Sequence, residues 1–145
     1  MNVFKNWGAI ALLTIAGLAG AQERPYTEGS VVAETSVKVM DGQFQNYMRF
    51  LDGSYKATME ASKKAGVILD YSVFNASPRK PEDADLYLVV TYPNMAMLDG
   101  LDAKMEPIMS SVTKMNLMQR DEASGKRTNM RTILGTELIR EIKLK

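Results

Sequence analysis

Four segments of the chain carry apolar residues with the alternation of β-strands, in which successive side chains point to opposite faces. They are Ser30–Val39, Val67–Ala76, Asp85–Tyr92 and Asn129–Lys145. The third segment is almost continuously apolar, which is typical of a central strand covered on both faces. The fourth contains Gly135, where a bend is expected. The pattern therefore predicts four β-strands.

Two segments between these strands have apolar residues three and four positions apart, which is the spacing of an amphipathic helix. The first helix is predicted to begin after Asp41 as its N-cap and to end at Gly66. The second begins after Asn94, and Pro107 is expected to kink or split it. A polar stretch, 119–128, is predicted as a turn. The apolar stripes consist of Phe44, Tyr47, Met48, Leu51, Tyr55 and Met59 in the first helix and of Leu98, Leu101, Met105, Ile108, Met109 and Val112 in the second.

The order strand–helix–strand occurs twice, which predicts an α+β domain of the ferredoxin-like, split β-α-β type with the order βαββαβ. Its four-stranded antiparallel sheet would carry two helices on one face. The other face is expected to be apolar, and a large apolar surface usually needs a partner. Two sheets packed face to face would form a dimeric α/β barrel, so we expect a homodimer through the sheet face. The residues expected on that face are Val32, Ile68, Phe74, Val89, Ile133 and Ile139.

The first 21 residues have the three parts of a secretory signal peptide. Lys5 supplies the positive start, Ala9–Ala19 is an apolar run, and small residues up to Ala21 form the cleavage site. The run is shorter than the ~20 residues that a membrane-spanning helix needs. We therefore expect a periplasmic or secreted protein, cut after Ala21, with no membrane contact once the signal is removed. The predicted organisation is a signal peptide at 1–21, a polar leader at 22–29 and one domain at 30–145.

The composition excludes several classes of site. The chain has no histidine and no cysteine, which excludes a Ser-His-Asp triad, a histidine-ligated haem, a histidine-based zinc site and a thiol nucleophile. We expect no metal and no cofactor. The 18 basic and 17 acidic residues nearly balance, which leaves no field to attract nucleic acid. Stability must come from packing, because no disulfide can form.

Three segments carry a family resemblance. They are Val37–Tyr47, where a strand turns into a helix that opens with an aromatic residue, Gly66–Tyr71 and Leu86–Met95. Together they resemble the dimeric α/β barrel superfamily, which includes antibiotic-biosynthesis-monooxygenase-like, EthD-like and NIPSNAP-like domains. The resemblance implies a ferredoxin-like fold, a homodimer and a cleft for small molecules between helices and sheet. Haem-using relatives depend on a histidine that this chain lacks, and no catalytic set carries over from the cofactor-free oxygenases.

Tyrosines and methionines are the candidate ligand-binding residues. A tyrosine hydroxyl offers a polar contact in an apolar interior, whereas the alternative is that these tyrosines are ordinary core aromatics. Methionine gives an adaptable wall or fills an irregular core, and the six methionines between 95 and 118 could also bind Cu(I). The candidates for a cleft between helices and sheet are Tyr47, Tyr55, Tyr71, Tyr92, Met105 and Met109, with Tyr87 as a further tyrosine.

Three hypotheses for function follow from these observations. The leading one is an exported homodimer that binds a small, largely apolar molecule. The second is a cofactor-independent monooxygenase or isomerase of the same fold, acting on a small aromatic or apolar substrate, with no catalytic residue assigned. The third is an interaction module that uses the sheet face to bind a different protein.

Overall fold

A four-stranded antiparallel sheet forms the centre of the computed structural model, which describes residues 23–145. Its strands are β1 (Tyr26–Val39), β2 (Asp70–Asn75), β3 (Leu86–Tyr92) and β4 (Arg131–Leu144). They lie in the order β2-β3-β1-β4, and every neighbouring pair is antiparallel. The α+β class and the four-stranded antiparallel sheet are confirmed, and the arrangement is consistent with a ferredoxin-like fold. The predicted signal peptide lies outside the described residues.

The strand β1 begins at Tyr26, four residues before the start that the alternation predicts. A bulge explains the difference, because the register against β4 shifts between Glu28 and Val31. An extra residue in one strand moves the following side chains to the opposite face. The inward–outward alternation of side chains that begins at Ser30 therefore does not extend to the residues before the bulge. The hydrogen-bonded pairing with β4 does extend to them.

The first helical segment covers nearly the predicted length but has three parts. They are α1 (Phe44–Phe50), a π-helical turn (Leu51–Tyr55) and α2 (Lys56–Lys64). The prediction of Asp41 as N-cap is wrong, since Gln43 holds that position without a side-chain hydrogen bond.

Gly66 ends this helical segment as predicted. Its φ is +73°, its N–H donates to the Lys63 carbonyl at 3.1 Å, and the Val67 N–H donates to the Ser62 carbonyl at 3.0 Å. These two bonds form a Schellman motif, in which a left-handed residue satisfies the last carbonyls of a helix. Glycine suits this position because it has no Cβ to oppose the positive φ.

The second helical segment begins with a 3₁₀ turn rather than with a long helix. The Asn94 side chain accepts a hydrogen bond from the Met97 N–H at 3.1 Å, and the turn covers Met95–Leu98. The helix α3 follows at Leu101–Thr113. Pro107 lies inside α3 and does not split the helix.

A further helix, α4 (Leu117–Lys126), replaces the predicted turn at 119–128. Asn116 and Gln119 form a capping box at its start, with both hydrogen bonds at 2.9 Å. This pair satisfies two of the free N–H groups at a helix start. A 3₁₀ turn at Arg127–Asn129 then leads into β4.

The core lies between the sheet and the first helical segment. Val37 and Leu86 are register partners on β1 and β3, and both are buried against Tyr47 and Leu51. At the end of the same strands, Asp85 accepts a hydrogen bond from Lys38 Nζ at 2.9 Å and from the Val39 N–H at 2.8 Å. The Asp85 carboxylate therefore ties the start of β3 to the end of β1.

The opposite face of the sheet is open and mixes polar with apolar residues. The expectation that β3 is covered on both faces is wrong, because its side chains after Leu86 are only half-buried. Glu34 and Glu137 are direct register partners in the middle of this face. Phe74 is 55% and Ile139 is 46% exposed. The three rows across the face are Phe74-Tyr87-Ser36-Gly135, Ser72-Val89-Glu34-Glu137 and Asp70-Thr91-Val32-Ile139.

Two residues predicted for the open face lie elsewhere. Ile68 is buried in the connection before β2 and is not part of a strand. Ile133 is the register partner of Val37, so it lies on the helix side of the sheet. The cause is a second irregularity, where the register shifts between Ser36 and Val37 opposite the Gly135 region and reverses the parity of β4. A bulge of this kind is invisible in a simple alternation pattern.

Candidate functional site

A cavity of about 480 Å³ lies between the first helical segment, α3 and α4. This volume is within the range of pockets that hold small molecules, roughly 300–1,000 Å³. The π-helical turn contributes Ser54 and Tyr55 to its wall. Single π-helical turns occur frequently at functional sites. The wall therefore comes from the first helical segment, including its π-helical turn, and from α3 and α4.

Four methionines form much of the apolar wall. They are Met59 on α2, Met105 and Met109 on α3, and Met115 just before α4. Met105 also touches α2, since its Sδ lies 3.5 Å from the hydroxyl of the buried Ser62. Unbranched, polarizable thioether side chains repack at low cost around ligands of different shape. The wall can therefore adapt to an apolar molecule.

Tyr55 contributes a buried hydroxyl behind this wall. Its Oη has no hydrogen-bond partner within residues 23–145. Burial, and then its neighbours Tyr47, Tyr71 and Tyr92, raise the pKa of Tyr55 to about 12. The hydroxyl therefore stays protonated near neutral pH and offers a hydrogen-bond donor, although an unmade bond in such a place costs ~1–3 kcal/mol.

The other three predicted tyrosines lie close to Tyr55 but do not line the cavity. The Tyr71 ring meets the Tyr55 ring edge-on, with centroids 6.1 Å apart, and its hydroxyl donates to Glu60 at 2.7 Å. That hydrogen bond, with burial, raises the pKa of Tyr71 to about 12. Burial also raises the pKa of Tyr47 and of Tyr92. All four tyrosines therefore lie together on the helix side of the sheet.

Arginines line the polar end of the cavity. The Arg127 guanidinium lies over the Phe50 ring, 4.5 Å from its centroid. Arg120 forms an ion pair with Glu106 and donates to the Met115 carbonyl at 2.7 Å. The pair closes α4 onto α3, because Glu106 belongs to α3 and Arg120 to α4. Arg127 thus remains as the lining cation without such a partner among residues 23–145.

A second concavity, of about 640 Å³, opens on the other face of the sheet. It lies between the loop after β2 and the bulged part of β4, and Glu34, Glu137 and Tyr87 line it. Tyr87 is therefore separated from the other candidate tyrosines by the sheet. The mixed charges and wide opening make this surface less suited to an apolar ligand than the methionine-lined cavity.

The structure brings together three of the six residues predicted to bind a ligand. Tyr55, Met105 and Met109 line the cavity, while Tyr47, Tyr71 and Tyr92 pack behind Tyr55. The α4 wall, including Arg120 and Arg127, was not predicted from the sequence. The Asn116–Gln119 capping box was the available signal, because Asn followed three residues later by Gln marks a helix start.

No family model, curated protein or solved structure matches the chain. Among residues 23–145, no helix has both the length and the apolar character of a membrane span. The same residues contain no group of three or more acidic side chains placed to hold a metal ion.

Proposed function

We propose that this protein is an exported small-molecule-binding protein whose site is the methionine-lined cavity. The observation that carries the proposal is a cavity of about 480 Å³ with Met59, Met105, Met109 and Met115 in its wall. The cavity opens to solvent, so part of this apolar wall is exposed to water, which is unfavourable for apolar surface. A small, largely apolar ligand would bury the exposed methionine surface and stabilise the three helices around it.

The chemistry of the tyrosines favours binding over base catalysis. A pKa of about 12 for Tyr55 and for Tyr71 keeps both phenols protonated near neutral pH. A general base needs a pKa near the working pH. Both phenols are therefore poor proton acceptors, and the Tyr55 hydroxyl, unlike that of Tyr71, has no acceptor among the described residues. A cofactor-independent oxygenase or isomerase would need its base from another group, so it is the second candidate.

A fluorescence titration with N-phenylnaphthylamine, an uncharged probe, tests the binding proposal. We expect a saturable signal that Ala123→Phe reduces at least about tenfold in affinity, because Ala123 lines the cavity and a phenyl ring would fill it. Ala57→Phe is the matched control, since Ala57 is exposed on α2 and lies outside the lining. Thermal unfolding of both variants verifies that they remain folded. Equal binding by the protein and Ala123→Phe would contradict the proposal.

Export is tested on the N-terminus. Cleavage after Ala21 would leave Gln22 as the first residue, so N-terminal sequencing of the protein from the periplasm or medium should start there. Ala21→Asp should block cleavage, because the signal peptidase accepts small residues at that position. A protein that keeps residues 1–21 and stays inside the cell would contradict this part of the proposal.

We also propose that two copies pair through the open sheet face. Exposed Phe74 and Ile139, with half-buried Val32 and Val89, would be covered by a second copy. The register pair of Glu34 and Glu137 opposes this pairing, because burying carboxylates is costly. Light scattering should therefore show a dimer that Phe74→Glu weakens and Glu137→Gln strengthens. A monomer for all three proteins would contradict the pairing.

A further inference from the structure

Two arginines lie near each other, and one of them is at the polar end of the cavity. Arg127 lines the cavity, and Arg131, the first residue of β4, is buried with only 9% of its surface exposed. Neither forms an ion pair within the part of the chain that the structure describes. Burial and the charge of Arg131 lower the pKa of Arg127 from its ordinary value. A half-buried guanidinium beside a second cation, with no ion-pair partner in the described residues, is unfavourable, and an anion would offset that cost.

The carboxylates nearest the cavity do not fill this role. Glu106 is already paired with Arg120, which holds α3 to α4. Asp121 lines the cavity on α4 but is exposed and forms no ion pair among residues 23–145. Tyr47, the other polar neighbour of both arginines, is a phenol whose pKa is raised by burial, although Arg131 and Arg127 oppose the rise. It is therefore uncharged near neutral pH and cannot balance them.

We propose that the cavity selects an amphipathic ligand with an anionic end, of the class of an alkyl or aryl carboxylate. The carboxylate would accept hydrogen bonds from the Arg127 guanidinium, held in place over the Phe50 ring 4.5 Å away. A planar guanidinium can donate two parallel bonds to a carboxylate. The apolar part of the ligand would contact Met105 and Met109. This inference rests on the proposed function, because it assigns the ligand class of the same cavity.

Decanoate and decanol test this inference, since they share an alkyl chain and differ in the anionic end. Each is titrated against N-phenylnaphthylamine bound to the protein and to three variants. Arg127→Met removes the cation at similar length, Arg127→Lys keeps a charge without the fork, and Arg79→Met removes an exposed arginine that lines the other concavity.

We expect decanoate to bind at least about tenfold more tightly than decanol, because charge-assisted hydrogen bonds are the stronger class. Arg127→Met should abolish that preference and leave the affinity for decanol unchanged. Arg127→Lys should keep part of the preference, and Arg79→Met should affect the binding of neither ligand. Raising the salt concentration should weaken the binding of decanoate but not that of decanol.

Three results would overturn the inference. Equal affinity of the protein for decanoate and decanol would remove the anionic preference while leaving the proposed cavity intact. A similar loss of both ligands in Arg127→Met and Arg127→Lys would mean that Arg127 only supports the fold. Failure of the uncharged probe to bind at all would overturn both the proposed function and this inference.

Discussion

The guanidinium carbon of Arg127 lies 4.5 Å from the centre of the Phe50 ring. This contact joins the turn after α4 to the end of α1, and both residues line the same cavity. A cation over an aromatic face is stabilised by ~0.5–1 kcal/mol at exposed sites and by ~2 kcal/mol when desolvated. The contact therefore holds the Arg127 guanidinium in place and packs the turn after α4 against the end of α1.

Phe50→Leu should lower the free energy of unfolding by about 1–2 kcal/mol, since it removes the aromatic face and part of the packing. It should also weaken the binding of decanoate more than that of decanol, because Arg127 loses the ring that holds it in place. Phe44→Leu on the same helix is the control: Phe44 is 39% exposed, and its loss should cost less than ~0.5 kcal/mol. Urea unfolding and the two ligand titrations provide both readouts. Equal effects of the two substitutions would contradict a special role for the contact.

Tyr55→Phe should leave the free energy of unfolding unchanged or raise it by up to about 1 kcal/mol, because the buried hydroxyl has no partner in the described chain and removing it relieves a desolvation cost. Tyr71→Phe is the matched comparison, since it loses an exposed hydrogen bond to Glu60 and should cost less than about 1 kcal/mol. Urea unfolding measures both. A loss of more than ~1 kcal/mol for Tyr55→Phe would show that the hydroxyl is bonded in solution.

Asp85→Asn should lower the free energy of unfolding by about 1–2 kcal/mol near neutral pH, since charged hydrogen bonds to Lys38 and Val39 are lost. Burial alone would raise the pKa of Asp85, but these two hydrogen bonds outweigh it and hold the pKa below its ordinary value of 3.8. The stabilisation of the folded state by the charged carboxylate is therefore fully present above pH 3.8. It is lost as the pH falls through the lowered pKa of Asp85 in the folded protein.

Unfolding titrations of the protein and of Asp85→Asn across acidic pH measure this dependence. The difference between the two should shrink as the pH falls below the ordinary pKa of the carboxyl group. Asp52→Asn is the control, because Asp52 is 79% exposed in its ion pair with Lys56 and should change stability by less than ~0.5 kcal/mol. A difference for Asp85→Asn that stays constant at low pH would contradict the role assigned to its charge.

Gly66→Ala should lower the free energy of unfolding by about 1–2 kcal/mol, because the φ of +73° is unfavourable for a residue with a Cβ. Gly53→Ala should instead raise it by about 0.5–1 kcal/mol, since Gly53 lies in the π-helical turn with no atom within 4 Å of an added Cβ. Thermal unfolding compares the two glycines directly. Stabilisation by both substitutions would contradict the strained helix end.

Local signals predicted the elements whose apolar residues repeat at one period without interruption. The stripe from Tyr47 to Met59 predicted the first helical segment, and Gly66 predicted its end. Alternation could not locate the bulges, because an inserted residue places the positions before it and after it on opposite faces, as Ile133 and Ile139 show. The helix α4 was missed because its sequence is polar, and only the Asn116–Gln119 pair marks its start.

The site was predictable only where it shares the apolar stripes of the helices. Met105, Met109 and Tyr55 belong to those stripes and line the cavity. Arg127 comes to the same place because α4 and the following turn pack against Phe50, which is a tertiary contact between residues far apart in sequence. Neither charge pattern nor spacing carries that information, so the polar end of the site required the structure.

Isotope-labelled methionine methyl groups test the central claim most directly, because the chain has methionines inside and outside the cavity. In a decanoate titration monitored by methyl NMR, four signals should shift and follow the same saturation curve. They belong to Met59, Met105, Met109 and Met115. Met40 and Met95, which are exposed and do not line the cavity, should stay in place. Saturable shifts confined to those exposed methionines, or no shift at any cavity methyl, would contradict the account.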